Sequence, residues 1–255
     1  MILIADIGNT KTKLAIFDLK KNKIINLFSV ETQAKFLEKK IGSFLKRKKI
    51  KYALFSSVVP HVFKKINTVC KKNKVKTYEV KNKKIQKNIK LNISKKSQVG
   101  SDRIVNSISA VKLYKQNSII VDFGTATTFD IVLSRNIYEG GVISPGIKLS
   151  LNSLHKLTAN LPLIEIKKQK KIVGKDTVSA MNSGVFFGYI HMVNGIIKQI
   201  IKEQKKNFKI VLTGGYADIF KKHIKPSALV NKNITLIGLA EIVKQNKRLF
   251  SEKRK

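Results

Sequence analysis

Two short stretches carry the residue types that phosphate chemistry needs. The first is Asp6-Ile7-Gly8-Asn9-Thr10-Lys11-Thr12, set between Ile2-Leu3-Ile4 and Leu14-Ala15-Ile16-Phe17. The second is Asp122-Phe123-Gly124-Thr125-Ala126-Thr127-Thr128, set between Ser118-Ile119-Ile120 and Phe129-Asp130-Ile131-Val132-Leu133. Each reads as strand, tight turn, strand, with a carboxylate at the mouth of the turn. Glycine lets backbone approach a ligand closely, and the N–H and O–H groups of such a turn are donors to phosphate oxygens. Both stretches fit D-x-G-x-x-x-T, about half a chain apart, so one unit is written twice and a duplicated domain is expected. Two halves facing each other would bring both turns to one cleft. Asp6 and Asp122 end buried strands, where a carboxylate can hold a cation or its water shell against phosphate oxygens. A turn aspartate capping its own backbone is the plainer alternative. Repetition of the threonine along with the aspartate favours the functional one.

A third candidate is Gly100-Ser101-Asp102-Arg103, just ahead of an amphipathic helix. Asp102 is the candidate general base, although a first-turn acid also suits the helix dipole. Gly100 permits close approach, and Arg103 can pair with a carboxylate substrate. Asn9, Thr10, Lys11 and Thr12 offer donors in the first turn, as Thr125 and Thr127 do in the second. Neither G-x-x-x-x-G-K-[ST] nor a strand-to-helix G-x-G-x-x-G occurs, so a Walker loop and a dinucleotide fold are not expected. His61, His155, His191 and His223 lack ligand spacing. Cys70 reads as a small core residue.

These residues must be positioned by strands with interleaved helices. Apolar patterning predicts strands at 2–6, 13–18 and 24–30, a helix over 32–48, a strand at 52–55, a helix from Pro60 to about 72, and a strand at 75–80. Residues 81–99 read as mostly irregular, and a helix follows from about 101 to 113. The second half opens near Gln116, with strands at 118–123, 127–133 and 137–143. Gly140-Gly141-Val142-Ile143-Ser144-Pro145-Gly146 reads as a second glycine-rich turn before a helix. Residues 157–173 look irregular. A long helix from Asp176 to about Lys205 is apolar on two faces, which suits burial on both sides or contact with another subunit. A strand at 208–212 runs into Thr213-Gly214-Gly215, a final helix spans 237–247, and the tail 251–255 should fray. The expected organisation is two mixed-sheet α/β domains, 1–115 and 116–255.

Composition excludes several classes. A single cysteine rules out an internal disulfide and suits a reducing compartment. Met1-Ile2-Leu3-Ile4-Ala5-Asp6 lacks a basic leader, and no apolar run suggests a bilayer span, so a cytoplasmic protein with no membrane partner is expected. With 52 basic against 15 acidic residues, the net charge of +37 raises the question of nucleic acid. Arginine occurs only at 47, 103, 135, 248 and 254, lysines lie in almost every segment, and aromatics are few among them. Drift toward Lys, Asn and Ile is weighed above a polyanion role, so nucleic-acid binding is expected to be nonspecific at most.

Taken in order, the motifs resemble the type III pantothenate kinases of the acetate kinase, sugar kinase, heat-shock protein and actin superfamily. The resemblance rests on Asp6 to Thr10, Gly100 to Arg103, Asp122 to Thr128, Gly140 to Gly146, Gly174-Lys175-Asp176-Thr177 and Thr213-Gly214-Gly215. It implies duplicated actin-like (ribonuclease H-like) domains with a nucleotide cleft between them, and Mg²⁺–ATP-dependent phosphorylation of pantothenate, the first step toward coenzyme A. It implies that Asp6, Ile7, Gly8, Asn9, Thr10, Lys11, Thr12, Lys13 and Thr125 hold ATP, with Asp6 able to reach Mg²⁺ through water. Gly100, Ser101, Asp102 and Arg103 would bind pantothenate, with Asp102 as proton acceptor. Asp122 would bind potassium or ammonium, and Thr177 would reach pantothenate across a homodimer interface. One departure stands out: the family's tyrosine seven residues before Gly100 is Ile93 here, and the proline soon after it is missing. That departure and the charge leave a rival: a non-catalytic regulatory or nucleic-acid-binding relative of the same fold.

Overall fold

The structure, a computed structural model, describes residues 1–48, 50–81 and 89–251. The chain divides into two compact units. One holds residues 1–115, 135–138 and the segment from Asn233; the other holds residues 116–134 and 139–232.

In the first unit the apolar runs form β1 (Ile2–Ile7), β2 (Lys11–Asp18), β3 (Lys23–Glu31), β4 (Tyr52–Ser57) and β5 (Lys76–Glu79), ordered β3-β2-β1-β4-β5. β1 is antiparallel to β2 and parallel to β4. It is apolar almost throughout because helices cover both faces of a central strand. Leu3, Ala5 and Ile7 share one core with Leu37, Ile41 and Leu45 of α1 (Leu37–Lys48) and with Val62, Ile66 and Cys70 of α2 (Pro60–Lys72). α7 (Ile234–Gln245) lies against β1, β2 and β4, and packs on α3 (Ser101–Tyr114).

The second unit repeats this plan. β7 (Ser118–Phe123), β8 (Ala126–Leu133), β9 (Ile137–Pro145), β10 (Lys209–Gly214) and β11 (Ala228–Val230) run in the order β9-β8-β7-β10-β11. Again the central strand is antiparallel to the second and parallel to the fourth. Asp6 and Asp122 are each the fifth residue of a six-residue central strand. The core is closed by α4 (Ile147–Leu157), α5 (Thr177–Gln204) and the short α6 (Ala217–Phe220), through Leu151, Phe186, Val193 and Phe220. This is the α/β, duplicated mixed-sheet architecture that the motifs lead one to expect.

Several local expectations are corrected. α1 starts at Leu37 rather than 32, because Thr32 and Ala34 are engaged in turn hydrogen bonds to Thr10 and Glu31. Gly140 and Gly141 lie inside β9, where Gly140 takes φ +113° and the strand continues to Pro145. Within 81–99, β6 (Lys90–Leu91) pairs with Ile137–Tyr138, and a single 3-10 turn spans Lys96–Gln98; residues 82–88 of that expectation lie outside the described residues, as do 252–255 of the tail. β11 and α6 have no counterpart among the expected elements. α5 is long and apolar enough to cross a membrane by length and composition. Residues 177–197 contain no Asp, Glu, Lys or Arg, and interspersed Ser, Asn and Gly hide this in a search for an unbroken apolar run. A helix laid over a sheet has the same properties, and Phe186, Val193 and Ile197 of α5 are fully buried in the core.

Candidate active site

The first turn joins β1 to β2 through residues 8–11, closed by the Gly8 N–H donating to the Lys11 carbonyl at 3.1 Å. Asn9, Thr10 and Lys11 are exposed, whereas Thr12 is buried. In the sheet, half-buried Asp6 stands beside Lys13 on one side and Ser56 on the other. Side chains in register on adjacent strands share a face, so this carboxylate sits in a polar row at the carboxyl end of β1. Thr12 does not project into the turn. Its hydroxyl lies 3.0 Å from that of Thr32, which in turn donates to the Gly8 carbonyl at 2.7 Å.

Ser56 leads to the second candidate. Its hydroxyl donates to the Ser101 hydroxyl oxygen at 3.1 Å, the Ser57 N–H donates to the same oxygen at 2.9 Å, and the Ser101 hydroxyl donates to the Ser57 carbonyl at 2.9 Å. A serine hydroxyl has one proton and two lone pairs, so Ser101 is saturated by β4. It is fully buried and pins the first turn of α3 to the end of that strand. Asp102 and Arg103, both half-buried, follow directly. The Asp102 carboxylate accepts the Arg103 N–H at 2.9 Å. The Arg103 guanidinium lies over the Tyr138 ring, 5.7 Å from its centroid, which orients the fork through a cation–π contact. Ile93, half-buried, follows Asn92, whose N–H donates to the Tyr138 carbonyl at 2.9 Å.

In the second unit, Asp122 stands between Thr128 and Thr213 in the sheet, as Asp6 stands between Lys13 and Ser56. Two glycines from elsewhere close on this turn. Gly214 takes φ +89°, and a Cβ there would sit 2.5 Å from the Phe123 carbonyl oxygen and 2.6 Å from Asp122 Oδ1. Gly146 presses on the carbonyls of Thr125 and Gly124 so closely that any side chain would overlap them. The Gly215 N–H donates to the Phe123 carbonyl at 3.2 Å. Pro145, next to Gly146, is held by the Tyr189 hydroxyl, which donates to its carbonyl at 2.7 Å; burial raises the Tyr189 phenol above its ordinary value. A carboxylate beside backbone carbonyls is hard-oxygen donor chemistry of the kind that suits potassium, ammonium or hydrated magnesium with phosphate.

Thr177 is exposed in the first turn of α5. The helix start is fixed by a capping box. Asp176 accepts the Ser179 N–H at 2.8 Å, Ser179 Oγ accepts the Asp176 N–H at 3.1 Å, and the Ser179 backbone bond holds the Asp176 carboxyl below its ordinary range. The outer side of α5 and α4 bounds an open groove of 410 Å³, lined by Leu154, Met181, Gly184, Val185, Gly188 and Met192 among others.

The structure therefore brings Asp6 and Gly100–Arg103 together around the ends of β1 and β4, and Asp122 and Thr125 together at the ends of β7 and β10. Sequence reasoning missed Thr32, Ser56, Ser57 and Tyr138. None lies in a repeated motif, and only the sheet register brings Ser56 beside Asp6.

Comparison with known proteins adds independent findings. A family model described as type III pantothenate kinase matches residues 2–199. A type III pantothenate kinase of Pelagibacter ubique (strain HTCC1062) is 42% identical over 243 residues, covering 94% of this chain and 97% of the relative. Among solved structures, a Campylobacter jejuni protein described as a Baf family transcriptional activator aligns with a TM-score of 0.55 at 21% identity, over 96% of this chain and 99% of that one. A Listeria monocytogenes protein described as an N-acetylmannosamine kinase aligns with a TM-score of 0.57 at 12% identity, over 96% and 99%. The two structural likenesses show the fold alone.

Proposed function

Because this chain belongs to the type III pantothenate kinase family, we propose that it transfers the γ-phosphoryl group of ATP to the hydroxyl of pantothenate, giving 4'-phosphopantothenate and ADP. The observation that carries the assignment of roles is the anchoring of Gly100–Arg103 to β4 through the saturated Ser101 hydroxyl. It presents a carboxylate and a guanidinium from one rigid helix start. Arg103 binds the pantothenate carboxylate. Asp102 accepts the hydroxyl proton as that oxygen attacks the γ-phosphorus and the bond to the bridging oxygen breaks. Gly100 gives the substrate close access, and Ser101 contributes by position.

In the first unit, the stretch from Asp6 to Lys13 holds the phosphates of ATP. Within it Asn9, Thr10 and Lys11 face solvent, while Ile7 and Thr12 support the turn from below. Asp6 holds Mg²⁺ through water. In the second unit, Thr125 contacts ATP and Asp122 holds a monovalent cation, potassium or ammonium. Bound cations supply charge neutralisation for phosphoryl transfer. The net charge of +37 draws anionic substrates to the protein, and its affinity for nucleic acid is nonspecific and salt-labile.

The protein acts as a homodimer in the cytoplasm. The apolar groove along α5 and exposed Leu149, Leu154 and Val178 support a subunit contact there, through which Thr177 reaches the partner's pantothenate. Sedimentation that yields only monomer at micromolar concentration counts against this.

The test of the catalytic reading is Asp102→Asn. Pantothenate-dependent turnover should fall by about 10²–10⁴-fold, the usual worth of a general base, with ATP binding retained. Turnover near the wild-type rate would remove Asp102 from the mechanism.

A further inference from the structure

Thr32 is the first residue past β3, and it is 2% exposed. Its N–H donates to the Thr10 carbonyl at 3.0 Å and its hydroxyl donates to the Gly8 carbonyl at 2.7 Å. It therefore grips the first turn at two carbonyls, on either side of Asn9. The Thr12 hydroxyl is the third contact, at 3.0 Å. Thr32 has a single hydroxyl proton, committed to Gly8, so in this contact Thr12 is the donor. Both threonine protons are thus spent inside the protein.

The direction of this grip matters. In a trans peptide the C=O and the following N–H point opposite ways. Lys225-Pro226 is the cis bond among the described residues, so the Gly8–Asn9 peptide is trans. With the Gly8 carbonyl drawn down to Thr32, the Asn9 N–H points out of the turn, at the exposed side.

The repeat in the second unit supports the same requirement by a different route. The first residue past β9 is Gly146, and it too closes on the carbonyl of the turn glycine, Gly124. There the contact is backbone against backbone. Thr127, whose place opposite Phe123 matches that of Thr12 opposite Ile7, is buried and its hydroxyl has no partner among the described residues. The hydroxyl clamp belongs to the first turn alone.

We infer that Thr32 is a positioning residue for nucleotide: through the Gly8 carbonyl it aims the Asn9 amide at a phosphate oxygen of ATP. This rests on the reading that the first turn holds ATP.

The test uses the full chain and three variants, Thr32→Val, Thr32→Ser and Thr10→Ala, the last as a direct probe of the turn. ATP dissociation constants are measured by calorimetry, with KM for ATP and for pantothenate. Thr32→Val removes the bond to Gly8 and strands the Thr12 donor; loss of the Gly8 bond should weaken ATP about 5–30-fold and leave KM for pantothenate within about twofold. Thr32→Ser, which keeps the hydroxyl, should restore ATP affinity. A merely structural threonine would instead lower thermal stability and leave the ratio of the two KM values unchanged, which overturns the inference. Thr10→Ala weakening ATP while Thr32→Val does not also overturns it and spares the ATP reading. If neither variant changes ATP affinity, the ATP reading of the turn falls, and the inference with it. Should Thr32→Val fail to fold, Thr32→Cys, a weaker donor, should give an intermediate ATP affinity; wild-type affinity in that variant overturns the proposal.

Discussion

Replacing Ser101 with alanine separates a positioning role from direct substrate contact. The hydroxyl makes three hydrogen bonds, at 2.9, 2.9 and 3.1 Å, at a fully buried site. Its removal leaves the Ser57 N–H and carbonyl without their partner, and strands the Ser56 donor as well. Ser56 is fully buried and Ser57 nearly so. An orphaned buried polar group costs about 1–3 kcal/mol, and partial relaxation puts the sum for this site at about 2–4 kcal/mol. For a chain of this size each kcal/mol lowers the melting temperature by about 2–4 °C, so the expected fall is on the order of 5–15 °C. The start of α3 loosens with it, so kcat falls as Asp102 loses its fixed place. The assays are thermal unfolding by circular dichroism and steady-state kinetics at a temperature where the variant is folded. A variant as stable as wild type, with unchanged kcat and only a raised KM for pantothenate, would mean that the hydroxyl faces substrate and the saturation argument is wrong.

The second turn gives a matching test. Gly214→Ala places a Cβ against the Phe123 carbonyl and the Asp122 carboxylate at φ +89°, at a cost of about 1–3 kcal/mol. Potassium-over-sodium stimulation of turnover should be lost while secondary structure persists, and retained stimulation would detach Asp122 from the cation. Cys70 is fully buried, and burial pushes its thiol up to about 12 from 9.0. In the folded protein at pH 8 it should react with a thiol reagent only as fast as the protein opens; fast labelling of native protein contradicts its burial. The sign for stability follows from the raised pKa. The contribution of the neutral buried thiol is full below pH 9, falls as the unfolded thiol ionises above it, and is lost by about pH 12; Cys70→Ala should flatten that part of the stability profile.

Strand periodicity and the two D-x-G turns made the duplicated sheet legible in the sequence, because a half-buried strand and a glycine turn are local properties. Partnership between distant elements was not local. The patterning of α7 marks it as a helix but does not reveal that it packs on β1 and α3. The glycines at 140 and 141 suggested a turn, yet their strand continues through them, since glycine permits unusual φ without demanding a reversal.

The repeat itself shows where spacing misleads. By counting, Thr12 matches Thr128. By register, Thr12 lies opposite Ile7 and Thr127 opposite Phe123, because the first turn is one residue longer. Counting hydroxyls misleads in the same way. Thr12, Thr32 and Ser101 look like donors to a ligand, but each proton is already committed within the fold. Thr32 and Ser101 hold carbonyls inward, with Thr12 bonded to the Thr32 hydroxyl, and a planar peptide whose carbonyl faces the core must face its amide outward. Backbone amides accept no proton and are indifferent to pH, which suits the proposed recognition of the constant part of a nucleotide, its phosphate chain. On the proposed reading, Thr12 and Thr32 thus serve phosphate binding at one remove, by setting which way the main chain points.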